Sequence, residues 1–141
     1  VIVDRVGGDE PARYGGSIGR RLPIHLGAGK VLAALLPTEE LEDFLSGVED
    51  YSLADGKIMT SELLREELLE VRAQGYSIAA QERIPGRFSV GAPVQTAPGV
   101  WDAAIVLSGR QKSSKFDEVQ KMAQDVSEAA GELSAQYLRN S

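Results

Sequence analysis

Between Tyr76 and Gly109 the chain carries three β-rich runs, YSIAAQER, RFSVGAPVQ and VWDAAIVLSG, separated by Pro85-Gly86 and Pro98-Gly99. Proline presets the first torsion of a turn and glycine accepts a positive φ, so each Pro-Gly pair reverses the chain and the runs form an antiparallel meander. The hydrophobic period then changes. After Ser113 or Ser114, either of which can cap a helix, Phe116, Val119, Ala123, Val126, Ala130, Leu133 and Tyr137 recur at steps of three or four residues. That spacing makes one apolar helix face. An antiparallel sheet that must cover such a face, with further helices upstream, implies an α+β fold, mainly antiparallel and flanked by helices.

Upstream, Val1 to Val6 is rich in β-branched residues and stops at Gly7-Gly8, which predicts a strand and a turn. Tyr14 to Ile24, broken by Gly15-Gly16, Gly19 and Pro23, reads as a loop or edge strand. GAGKVLAALL, starting at Gly27, is apolar nearly all round, as a helix buried between other elements is, and Pro37 ends it. Thr38 is positioned to cap a short second helix ending by Gly47, with Glu39 and Glu40 in its first turn and Leu41, Phe44 and Leu45 inward. Val48 to Met59 reads as a connection. Thr60 or Ser61 caps a longer helix through Ala73 with Leu63, Leu64, Leu68 and Val71 on one face, and Gly75 is its left-handed stop.

With 141 residues the chain is expected to be one domain, large enough for a core without disulfides or a structural metal. It holds no cysteine and one histidine, His25, which excludes zinc clusters, iron–sulfur sites and cysteine nucleophiles. No cofactor is expected, and any metal would have to be a hard, carboxylate-bound ion. The net charge is −6, and 11 of the 21 carboxylates lie between Pro37 and Gly75 beside only 3 basic residues. Without a basic stripe the chain is a poor grip for phosphate backbones, so any contact with nucleic acid falls to another segment. No apolar run approaches the roughly 18 to 20 residues of a membrane span, and the start lacks a secretory pattern, so a cytoplasmic location is expected. Val1 enters a strand-like run directly, which suggests a fragment of a longer protein.

Gly27-Ala28-Gly29-Lys30 has the look of a phosphate loop, but that pattern needs glycine where Ile24 stands and Ser or Thr where Val31 stands. Small residues at a helix start can still expose backbone N–H groups to a carboxylate or phosphate, or simply permit a tight turn. His25 stands beside Pro23 at a helix entrance without a nucleophile elbow, more in keeping with a structural residue than with acid–base catalysis. Ser89 and Ser108 fall in adjacent strands, and Arg87 shares a face with Ser89. If that face points inward, a guanidinium and two hydroxyls among Val, Ala and Ile suit a small organic anion; if outward, they are surface polar groups.

The ordered set Leu22-Pro23-Ile24-His25, Gly29-Lys30 opening an apolar helix, Gly75-Tyr76, Gly91-Ala92-Pro93-Val94 and Ser108-Gly109 resembles the effector-binding domain of IclR-type transcriptional regulators, and the likeness runs from Asp4 to Leu138. It implies a GAF-like fold over residues 1–141 that binds a small metabolite and controls the DNA affinity of a winged helix-turn-helix domain. That DNA-binding domain precedes it in the family and, with part of the amino end of the effector domain, is expected to be absent from this sequence. The resemblance further implies a homodimer or tetramer, operator contact only through the absent domain, and no membrane partner.

Family effector sites are lined by residues that match Tyr14, Leu22, Gly27, Ala28, Ser89 and Ser108, with the helix-start amides cradling a carboxylate. Three departures mark this chain: Ala79 where aspartate is common, Val106 in place of a serine, and Arg87 where an apolar residue is usual. The loop between His25 and Gly29 is one residue shorter as well. Loss of an acidic and a hydroxyl partner would leave a small keto-acid with unpaired groups at about 1 to 3 kcal/mol each, so the expected effector is a larger, more apolar carboxylate such as an aromatic acid. The leading reading is thus a ligand sensor and not an enzyme. The alternatives are an oligomerisation module with a vestigial pocket and a hydrolase using His25.

Overall fold

The computed structural model describes residues 1–7, 18–110 and 116–140. A 3-10 turn at Gly27–Gly29 leads into α1 (Lys30–Ala34), followed by α2 (Thr38–Ser46), a small hairpin of β1 (Tyr51–Ser52) and β2 (Ile58–Met59), and α3 (Ser61–Gln74). The meander follows as β3 (Ser77–Ala80), β4 (Arg87–Val94) and β5 (Ala103–Arg110), and α4 (Phe116–Arg139) closes the fold. The three meander strands pair antiparallel in the order β3-β4-β5.

Alternation along β4 divides the molecule into layers. Phe88, Val90, Ala92 and Val94 point to α4, where Val119, Ala123, Val126 and Ala130 complete one buried cluster. Ser134 ties the two together, donating to the Ala130 carbonyl and accepting the Gln95 N–H. The other face of the sheet receives the 3-10 turn and α1, behind which Val31, Ala33, Ala34, Leu41, Leu45, Leu64, Leu68 and Val71 form a second cluster. Leu64 and Val90, both fully buried, sit at the centres of the two.

Most expected elements appear, with instructive exceptions. Val1 to Val6 is not a strand: Ile2 makes one reciprocal pair of bonds with Gly19 and Arg20, and Val3 and Val6 are largely exposed. β-branched residues make a strand only where a neighbouring strand accepts them. Val48 to Met59 is more than a connection, because Asp55-Gly56 closes the β1–β2 hairpin, with Gly56 at φ 89°. Helix α1 is shorter than its apolar run; Leu35 and Leu36 bond three residues back, and the Arg72 guanidinium takes the carbonyls of Ala34 and Leu36. Thr38 does not cap α2. The extended backbone of the cap position falls on Pro37, at ψ 148°, so Thr38 is already helical. Thr60 does cap α3, its hydroxyl accepting the Leu63 N–H, and Gly75 ends that helix at φ 85°. Leu63 and Tyr137, expected inward, are about half exposed. The serines expected to cap α4 and the side chain of Phe116 lie outside the described residues.

Candidate functional site

Pro23 and Ile24 deliver the chain to Gly27, whose φ of 72° turns it into the 3-10 helix. Gly29 then passes so close to the incoming backbone that a Cβ there would lie 2.7 Å from the Pro23 carbonyl. The turn rests on the sheet where the sheet is smallest. Gly91 leaves room for Ala28, whose carbonyl accepts the Ser77 hydroxyl at 3.3 Å. This seats Gly27 beside the connection between β3 and β4.

That connection is held from both sides. The β1–β2 turn donates the N–H groups of Ala54 and Asp55 to the carbonyls of Glu82 and Gln81. Gln81 has φ 52°, an unusual value for a residue with a Cβ, and its side chain accepts the Gly86 N–H. Strained backbone of this kind persists where surrounding bonds over-determine it. Here it aims Glu82 inward. One carboxylate oxygen of Glu82 accepts the Gly27 N–H at 2.9 Å and the other accepts Lys30 Nζ at 2.6 Å. Lys30, only 2% exposed, also reaches Glu67 at 2.7 Å. The oxygen-bearing tip of Tyr51 donates to the His25 carbonyl, and burial, with the Glu82 and Glu67 charges, pushes its phenol up to about 12.

Beside this ion cluster lies a shallow, solvent-open cleft. The register decides its floor: Ala79 pairs with Ser89, and Ser89 with Ser108, so the three side chains form one rung across the sheet on the side of the 3-10 turn. The face carrying Arg87 and the two serines therefore points into a cleft. Gly27 and Glu82 bound one end; Arg83, Ile84, Arg87 and Phe88 complete the lining. The Arg83 guanidinium is held below its ordinary pKa, first by burial and then by Arg20.

Of the expected site residues, Gly27, Ala79, Arg87, Ser89 and Ser108 meet in this cleft. Ala28 is buried beneath the turn, Leu22 lies on the half-buried approach, and Val106, one rung beyond Ser108, is 48% exposed; these three do not line it. Tyr14 lies outside the described residues. Glu82, Arg83 and Ile84 escaped sequence reasoning because Glu82 to Pro85 counts there only as the edge of a strand and the start of a turn, and Phe88 because its side chain alternates to the α4 face, away from Arg87 and Ser89. The buried lysine carried the available signal, since an ammonium inside an apolar helix needs a carboxylate.

The arrangement offers hydroxyls, guanidinium groups and apolar wall to an anion with a carbon body. His25 is packed edge-to-face on Tyr51 at 4.9 Å, and among the described residues no hydroxyl or carboxylate bonds to its ring. Among the described residues no group of three or more His, Asp or Glu could hold a metal. No helix among them is long and apolar enough to cross a membrane.

Comparison with known proteins gives a consistent result. The family described as "Bacterial transcriptional regulator IclR C-terminal" matches residues 1–135. The HTH-type transcriptional regulator KipR of Bacillus subtilis is 27% identical over 135 residues, covering 95% of this chain and 54% of KipR. The crystal structure of the C-terminal domain of the Escherichia coli regulator KdgR superposes with TM-score 0.75 at 32% identity, covering 85% of this chain and 74% of that domain. An IclR homolog of Microbacterium hydrocarbonoxydans, crystallised with 4-hydroxybenzoate, shares the fold with TM-score 0.75 at 23% identity, covering 89% of this chain and 50% of the homolog. The chain spans about half the length of the curated relatives it matches.

Proposed function

Because the chain belongs to the IclR family of bacterial transcriptional regulators and matches the carboxy-terminal domain of that family, we propose that residues 1–141 are its effector-sensing domain and that an organic carboxylate binds in the cleft beside the 3-10 turn. Ligand binding shifts a population of domain arrangements and so changes the operator affinity of a winged helix-turn-helix domain carried elsewhere in the full-length protein. A ligand moves such an equilibrium only by its difference in affinity for the two states. The complete regulator works as a homo-oligomer in the bacterial cytoplasm. A hydrolase built on His25 has no place in this reading, since the relatives bear the names of transcriptional regulators.

The observation that carries the proposal is the rung of Ala79, Ser89 and Ser108 with arginine at the cleft margin. It pairs an apolar floor, on which a small keto-acid would leave its acceptors unpaired, with hydroxyls and positive charge. An aromatic acid satisfies both requirements, and the fold accommodates 4-hydroxybenzoate in the Microbacterium homolog. A thermal-shift screen of aliphatic and aromatic carboxylates, with chloride and phosphate controls, tests this. A ligand at about a hundred times its Kd adds roughly 2.7 kcal/mol and raises the midpoint by several degrees. A shift abolished in Ser89→Ala supports the cleft; a flat screen on folded protein refutes a carboxylate effector and favours an oligomerisation module.

A further inference from the structure

We infer that Arg83 is the residue that binds the acid group of the ligand, so that the anion lies with its charge at the cleft mouth and its carbon body along the Ala79–Ser89–Ser108 rung. This rests on the carboxylate reading above and supplies the orientation that reading leaves open.

At the alternative seat for a carboxylate, the start of the 3-10 turn, the first amide is already committed and a buried carboxylate stands beside it. The Gly27 N–H is given to Glu82, and Glu82 is anchored by Lys30 on its second oxygen and by Ala54 on its own carbonyl. A ligand carboxylate placed there would meet a like charge that has nowhere to withdraw. The Glu82 charge is also matched by a lysine whose side chain is 3% exposed, so it is committed to Lys30 and not to the arginines nearby.

Arg83 is in the opposite situation. Its stem passes beside Gly27, with Cδ 3.4 Å from where a Cβ on that glycine would stand, and its side chain lines the cleft. Among the described residues no carboxylate pairs with it. Partial burial raises the cost of its charge, and Arg20 repels it as well. A half-desolvated guanidinium with a cationic neighbour gains from an incoming anion more than an exposed one does, and its planar fork suits a carboxylate. Ile84 and Ala79 beside it accept the apolar remainder.

Calorimetric titration of the chain with benzoate, 4-hydroxybenzoate and the neutral benzamide tests the orientation, using Arg83→Met and Arg83→Lys. Benzoate and 4-hydroxybenzoate should bind about ten- to a hundredfold more weakly to Arg83→Met, the loss expected for one charge-assisted contact. Arg83→Lys should recover part of this, and benzamide should bind both variants as it binds the parent. Unchanged thermal midpoints show that neither variant acts through folding. If the acids bind Arg83→Met as tightly as the parent, or if benzamide loses as much as benzoate, the orientation is wrong while the effector reading stands. If the parent binds no carboxylate in this titration or in the wider screen, the effector reading fails and the orientation fails with it.

Discussion

Replacing Lys30 by Met leaves the α1 stem packed but removes the ammonium that two carboxylates share. Glu67, with a side chain 39% exposed, returns to water at little cost, whereas Glu82, 8% exposed, keeps only the Gly27 N–H. Breaking a buried pair by removing one partner costs about 3–5 kcal/mol, because the remaining charge stays desolvated. For a domain of this size each kcal/mol lowers the midpoint by roughly 3–4 °C, so Lys30→Met should melt about 9–20 °C lower near neutral pH. Melts followed by circular dichroism would measure the deficit. Adding Glu82→Gln, which keeps an oxygen for Gly27, should restore part of the loss. A deficit below about 3 °C would refute the claim that Glu82 depends on Lys30.

Gly91→Ala should cost about 1–3 kcal/mol in denaturant unfolding, since the new methyl would stand 3.0 Å from the Ala28 carbonyl and push the 3-10 turn off the sheet. Thr60→Ala removes the α3 cap and should cost about 1 kcal/mol by the same assay. Tyr51, with its folded pKa raised to about 12, should contribute stability that is complete below pH 10 and lost as pH rises from 10 to about 12. Ultraviolet phenolate titration of the folded chain against Tyr51→Phe should assign the late-ionising tyrosine, and its absence from the difference would count against the buried placement.

The meander, its reversals and the amphipathic α4 were legible in the sequence because each follows from local chemistry: Pro-Gly turns, alternation of period two, and apolar residues at steps of three and four. The caps at Thr60 and Gly75 are legible for the same reason. A strand at Val1 to Val6 was misread because pairing is a property of two segments. Candidate residues on β4 and β5 could be named from sequence, but whether Arg87, Ser89 and Ser108 faced a cleft or solvent depended on which face of the sheet the 3-10 turn covers. Tertiary structure alone decided that Glu82 occupies the Gly27 amide and pairs with Lys30, across 55 and 52 residues of chain. Contacts at such separations are chosen by the packing of whole layers. No spacing rule within either segment records them, and so the charge of the cleft was settled only when the two segments met.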